Sequence, residues 1–229
     1  MKTVLFVGAG RHQRRAIEHA RGRALRVVAV DRNERAPGLL GADVGEVVDF
    51  TDVVAVTEIA WRHRVDGVLT VAADRAVPVV AAVAEDLGLP GIGRATAQLM
   101  THKLEMRDTL AAAGVPQPPY ARVRTEADAE PALEAAGLPA VLKPVDSGGQ
   151  RAIFRIESLE DLRTNVAEAI AESPTREAIV EAFVEGLELN GIVIARDGLC
   201  STSRSPTSCG HPGSVSAWAG CTSTHPRSG

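Results

Sequence analysis

At 229 residues the chain could hold one large domain or two small ones. Hydrophobic residues make up 45% and aromatics only 3%, so any core must be built from Ala, Val, Leu and Ile. The formal net charge of −4 implies no broad basic surface, which argues against a nucleic-acid partner; Arg11, Arg14, Arg15, Arg21, Arg23 and Arg26 read as a solvated helix and its exit loop. The apolar runs Thr3 to Val7 and Ala76 to Ala84 are too short for a targeting segment or a membrane span, and the second contains Pro78. The expectation is a cytoplasmic protein with no membrane partner.

In chain order, Thr3 to Val7 reads as a strand, and Gly8-Ala9-Gly10 turns the chain into a helix beginning near Gln13. Val27 to Val30 is a second strand, closed by Asp31. Asp52 to His63 reads as a helix, Gly67 to Val71 as a third strand and Ala76 to Leu87 as another helix. Strands and helices that alternate at this length predict a parallel sheet with crossover helices. The fold class is therefore α/β, with a Rossmann-like domain over residues 1–101.

The pattern then changes. Ala95 to Met100 and Lys103 to Ala113 read as helices, and Val115-Pro116-Gln117-Pro118-Pro119 as a stiff extended linker. Strands are expected at Tyr120 to Val123, Ala140 to Lys143, Ile153 to Ile156, Ile179 to Phe183 and Leu187 to Ala195. Helices are expected at Glu126 to Ala136 and Ser158 to Glu172. Residues 102–198 thus form a second, α+β domain with strands that pair across hairpin-like loops.

At Leu199 the composition breaks. Residues 199–229 contain no Asp, Glu or Lys, are rich in Ser, Thr, Pro, Gly and Cys, and show neither helix nor strand periodicity. An irregular, disordered tail is one reading. A frameshift is another, because back-translating His211 to Arg227 one nucleotide out of register permits a glycine-rich, aromatic, strand-like sequence. All three cysteines, Cys200, Cys209 and Cys221, fall here without a CxxC pair, which argues against a disulfide framework. His211 and His225 lie nearby, but the spacing fits no familiar zinc site.

Several residues could carry chemistry. Gly8, Gly10 and Asp31 suggest a dinucleotide turn, with the acid placed to hold a ribose. Gln13, however, stands where the third glycine of that fingerprint belongs, and a tight strand-to-helix turn would use the same residues. Lys143 finishes an apolar strand in Val-Leu-Lys-Pro. Burying its ammonium requires a counter-charge, which a nucleotide phosphate would supply. Ser147-Gly148-Gly149 could lay backbone N–H groups over phosphate oxygens, or make an ordinary hairpin turn. Glu181 to Glu188 could offer a strand edge to an adenine ring and a carboxylate to ribose hydroxyls; a strand with acidic turn residues would look the same.

The order and spacing of these elements resemble the ATP-grasp superfamily, most closely its carbamoyl-phosphate synthase-like and carboxylate–amine ligase branch. The resemblance runs from Met1 to about Gly198. It includes the leading α/β domain, the Lys103 helix with Gly114-Val-Pro, the Leu142-Lys-Pro strand, the Ser147-Gly-Gly loop and the Glu181 to Glu188 segment. It implies that Lys103 and Lys143 contact ATP phosphates and that Ser147, Gly148 and Gly149 belong to the loop that closes over them. It further implies that Glu181, Ala182 and Val184 line an adenine site, partly through backbone, and that Glu188 holds the ribose. Gln150 and Arg151 would face phosphates or substrate.

Such enzymes activate a small carboxylate as an acyl phosphate, which an amine or similar nucleophile then attacks, with magnesium bridging the phosphates. The magnesium ligands implied by the resemblance are acidic residues and an Asn in the second lobe of the grasp domain, and no Asp, Glu or Asn follows Asp197. The expectation is a C-terminally truncated or frameshifted ligase that binds ATP and is inactive as this chain. A homodimer is compatible with that reading. The alternatives are an NAD(P)-dependent oxidoreductase using Gly8, Gly10 and Asp31, or a non-catalytic nucleotide-binding module.

Overall fold

The computed structural model describes residues 1–187, 189–196 and 199–206. Glu188 and residues 207–229, with Cys209, His211, Cys221 and His225, lie outside the described residues, as does the side chain of Cys200. The chain divides into two compact units. The first is Met1–Met106 with Asp146–Gly148; the second is Arg107–Val145 with the described residues from Gly149 onward.

The first unit contains β1 (Thr3–Val7), α1 (Arg14–Gly22), β2 (Arg26–Asp31), α2 (Pro37–Gly41) and β3 (Val44–Val47). It continues with α3 (Val53–Arg62), β4 (Gly67–Leu69), α4 (Val77–Asp86), α5 (Arg94–Thr101) and the start of α6 (Lys103–Ala112). Its sheet has the order β3-β2-β1-β4 and is parallel throughout. Side chains alternate across a strand, so one apolar run serves both faces. Leu5, Val7, Val28 and Val30 pack on Val56 and Ile59 of α3 and on Val79 and Val83 of α4. Phe6, Val27 and Ala29 turn the other way, onto Ile17 and Ala20 of α1 and Leu39 of α2. Helices therefore cover both faces, as the α/β reading predicts. Asp52 starts α3 by accepting a hydrogen bond from the Ala55 N–H at 3.1 Å, and Pro78 sits in the first turn of α4, where a missing N–H costs nothing. The elements α2 and β3 were not expected. Helix α2 has five residues and β3 four, too short to show a period.

The second unit contains the rest of α6, β5 (Tyr120–Val123), α7 (Ala129–Ala136), β6 (Ala140–Pro144) and β7 (Phe154–Ile156). It continues with α8 (Leu159–Glu172), β8 (Ala178–Ala182), β9 (Leu189–Arg196) and β10 (Leu199–Pro206). The antiparallel order β5-β8-β6-β7 inserts β8 between two earlier strands. One face of this sheet, with Val123, Ala140, Leu142, Ala178 and Val180, packs on α7 and α8 through Leu133, Leu162 and Val166. Ser158 caps α8 by accepting from the Asp161 N–H at 3.1 Å.

Strand β10 corrects the expectation of an irregular chain from Leu199. It pairs antiparallel with β9 from Leu199↔Arg196 to Pro206↔Leu189. Its sequence, Leu-Cys-Ser-Thr-Ser-Arg-Ser-Pro, has no apolar alternation, so composition hides it. Backbone pairing, which needs no apolar pattern, defines the strand.

Candidate functional site

The second unit holds a buried ionic cluster whose geometry follows from strand parity. Ala140 and Leu142 of β6 point to the helices, so Val141 and Lys143 point away from them. On β8 the same rule sends Ile179 and Glu181 to the face of Lys143. The register pairs Val141 with Glu181 and Lys143 with Ile179, which makes Lys143 and Glu181 diagonal neighbours. Their side chains form an ion pair through Lys143 Nζ and Glu181 Oε1. The other carboxylate oxygen, Oε2, accepts from Arg107 Nη2 at 2.7 Å. Lys143, Arg107 and Glu181 are 3%, 5% and 6% exposed. Arg107 in turn donates from Nη1 to Gln117 Oε1 at 2.7 Å, and Gln117 Nε2 donates to the Pro116 carbonyl at 2.8 Å.

This corrects one step of the sequence argument: the nearest counter-charge for Lys143 is Glu181, not a ligand. Yet the carboxylate serves two cations, so the three groups together carry one surplus positive charge. Burial pushes the Lys143 ammonium below the ordinary lysine range; Glu181 opposes that shift and Arg107 adds to it. Burial also works to raise the Glu181 carboxyl, but Lys143 and Arg107 outweigh it and hold the group below the usual carboxylate value. Both directions are consistent with two cations and one anion. The carboxylate has two cationic partners, whereas each cation has one anionic partner and one like-charged neighbour.

The remaining expected residues are distributed as follows. In the first unit, Lys103 opens α6 and donates from Nζ to the Ser147 carbonyl at 2.9 Å. Gly148 lies against Asp74, so that a Cβ at this position would collide with the Asp74 carboxylate. In the second unit, Gly149 has φ +78°, and Gln150 and Ala152 are left-handed as well, at +58° and +49°. Arg151 pairs with Glu172 at 3.1 Å. The Ala182 N–H is already engaged by the Pro119 carbonyl at 2.9 Å, so it is not a free donor for an adenine ring. Val184 is 70% exposed. Glu188 lies outside the described residues.

Arg107 and Gln117 were absent from the sequence-derived site. Gln117 was hidden in a linker. Arg107 had one faint signal: it falls three residues after Leu104, which is buried, and so shares its side of the helix.

The glycine turn of the first unit is closed by the protein itself. Gly8 has φ +89°. Asp31 Oδ2 accepts from the Ala9 N–H at 2.8 Å, and Oδ1 accepts from the Asn33 N–H at 2.9 Å. Gln13 is buried and donates from Nε2 to the Val71 carbonyl. Both oxygens of the acid expected to hold a ribose are thus used to hold the turn. Among the described residues no group of three or more His, Cys, Asp or Glu side chains could hold a metal ion, so no residue is assigned to magnesium. Among the same residues no helix is long and apolar enough to cross a membrane.

Comparison with known proteins bears on the family and the fold. Residues 109–205 match the family described as D-ala D-ala ligase C-terminus. The formate-dependent phosphoribosylglycinamide formyltransferase of Synechococcus sp. (strain CC9902) is 30% identical over 188 residues, covering 80% of this chain and 48% of the relative. A D-alanine–D-alanine ligase of Desulforudis audaxviator is 35% identical over 114 residues, 48% of this chain and 37% of its own length. The chain spans about half the length of the formyltransferases it matches. Among solved structures, L-amino acid ligase from Bacillus licheniformis superposes with a TM-score of 0.72 at 23% identity, over 88% of this chain and 49% of the ligase. N5-carboxyaminoimidazole synthetase from Staphylococcus aureus, crystallised with ADP, gives 0.71 at 19% identity, over 88% and 53%. The family match over residues 109–205, the relatives and the solved folds agree with the ATP-grasp resemblance carried by the motifs.

Proposed function

We propose that this chain supplies nucleotide-binding residues of an ATP-dependent ligase that joins a small carboxylate to an amine or similar nucleophile through an acyl phosphate. The observation that carries the reading is the buried cluster of Lys143, Arg107 and Glu181, with two cations on one carboxylate. A buried surplus of positive charge favours an anion, and a nucleotide phosphate is an anion of suitable strength. Lys143 is the phosphate contact argued from structure. On the strength of the family resemblance, Lys103, Ser147, Gly148 and Gly149 are further phosphate contacts, and Glu181, Val184, Glu188 and Ala182, the last by a group other than its engaged N–H, the base and ribose contacts. The relatives support the substrate class: their names include a formyltransferase, a D-alanine–D-alanine ligase and an L-amino acid ligase. Three neighbours were crystallised with ADP, one of them with its magnesium salt. ATP is the nucleotide and magnesium the metal of the proposed reaction, with the chain in the cytoplasm and no catalytic turnover expected from this chain alone.

Equilibrium dialysis with ATP, and in parallel with NAD, tests the reading. Binding of ATP that disappears in Lys143→Met supports it. Binding of NAD without binding of ATP overturns it and favours the glycine turn at Gly8 as the site.

A further inference from the structure

We infer that Arg107 is a positioning residue that makes the Lys143 site receptive to anions without touching the ligand. The inference rests on the phosphate-binding reading of Lys143 and adds a residue that neither the sequence motifs nor the family comparison assigns.

The carboxylate of Glu181 could serve one cation with both oxygens. In that arrangement Lys143 and Glu181 would form a closed, neutral pair, with no charge left for a phosphate. Arg107 prevents it. Its Nη2 takes Oε2 at 2.7 Å, which leaves Oε1 alone for Lys143. The ammonium keeps two of its three protons for other acceptors, and the cluster keeps one net positive charge.

Arginine suits this position better than lysine. Its guanidinium stays charged when buried and presents several N–H groups in a rigid plane. One of them holds Glu181; another, Nη1, is anchored on Gln117 Oε1 at 2.7 Å. Gln117 is fixed in turn by the Pro116 carbonyl at 2.8 Å. The linker between α6 and β5 is thereby connected, through Gln117, Arg107 and Glu181, to the ammonium of Lys143. The stiffness of a Pro-rich segment helps to set where a charge on β6 stands.

The test compares ATP affinity of the full chain with that of Arg107→Gln, Arg107→Lys and Lys143→Met, each checked for its fold by circular dichroism. Arg107→Gln keeps polarity and approximate size but makes the cluster neutral. It is expected to weaken ATP about tenfold or more, the effect of losing one charge-assisted contribution. Arg107→Lys restores the charge and is expected to recover most of that affinity. A packing role would not show this rescue, because lysine reproduces neither the plane nor the fork of the guanidinium. If Lys143→Met abolishes binding while Arg107→Gln binds like the wild type, the inference falls and the phosphate-binding reading stands. Equal losses in Arg107→Gln and Arg107→Lys also overturn it, since charge is then not what Arg107 contributes. If Lys143→Met binds ATP as well as the wild type, the reading beneath the inference falls.

Discussion

Lys143 and Glu181 stand on the same face of an antiparallel sheet, diagonal to one another across β6 and β8, and their charges pair where solvent hardly reaches. The opposite face of those strands carries the apolar core against α7 and α8. One sheet therefore has two unlike faces: alanines, valines and leucines on one side hold the unit together, and the other carries a buried ionic cluster.

Glu181→Gln removes the single carboxylate shared by two buried cations. Leaving a buried charge without its partner costs roughly 3–5 kcal/mol, so a large fall in the urea midpoint is expected. Glu130→Gln, at the exposed Arg163–Glu130 pair, should change stability by less than about 1 kcal/mol. The Glu181 contribution also has a definite pH dependence. Its folded pKa is depressed, so the stabilisation is present above the ordinary carboxylate value and is lost as pH falls through the lower, folded value. The stability gap between wild type and Glu181→Gln should narrow in that acid range. A gap that is small at neutral pH, or widens in acid, would contradict the assignment.

Tyr120 is the sole tyrosine of the chain, so its phenol can be followed by absorbance without overlap from another. Burial and a 2.6 Å hydrogen bond to Asp108 push its pKa up to about 12. Spectrophotometric titration should therefore find a midpoint well above the ordinary tyrosine value, and Asp108→Asn should bring it down. An unshifted midpoint in the wild type would show that the Tyr120–Asp108 contact does not persist in solution.

Asp31 gives a test of what the glycine turn is for. Asp31→Ala leaves the Ala9 and Asn33 N–H groups without their acceptor, which should destabilise the chain by roughly 1–3 kcal/mol. Because Asp31 acts on the turn and not on a ligand, NAD should not alter the thermal midpoint of either the wild type or the variant. Stabilisation of the wild type by NAD that is lost in Asp31→Ala would restore the dinucleotide reading.

Gly148 is required for space. Gly148→Ala places a methyl group on the Asp74 carboxylate, so either that side chain turns away or the segment that accepts the Lys103 hydrogen bond through Ser147 shifts, and the second is the expected course. Faster hydrogen exchange across residues 146–149 is expected. Asp74→Ala in the Gly148→Ala background makes room and should reverse most of the change; equal exchange in the single and double variants would remove the collision as the cause.

Much of this was legible in the sequence, for identifiable reasons. Strand β1 is read with its exact bounds, because a short apolar run before a glycine turn has few other interpretations. Helices α3 and α8 carry capping residues, Asp52 and Ser158, that mark their starts. Lys143 stood out because an ammonium at the end of an apolar strand demands an explanation. What sequence could not supply was register. Nothing local says that β8 lies between β5 and β6, so nothing placed Glu181 beside Lys143 or brought Arg107 to both. Glu181 was expected to line an adenine site, partly through backbone, and no local signal showed that its carboxylate binds two cations. Strand β10 was missed for the opposite reason: backbone pairing needs no apolar pattern, and its composition resembles a loop.

The most direct test of the central claim is ATP binding by the wild type and by Lys143→Met, measured by equilibrium dialysis with and without magnesium. The account predicts that the wild type binds ATP and that the Lys143→Met variant, although folded, does not. A folded Lys143→Met variant that binds ATP as tightly as the wild type would contradict it.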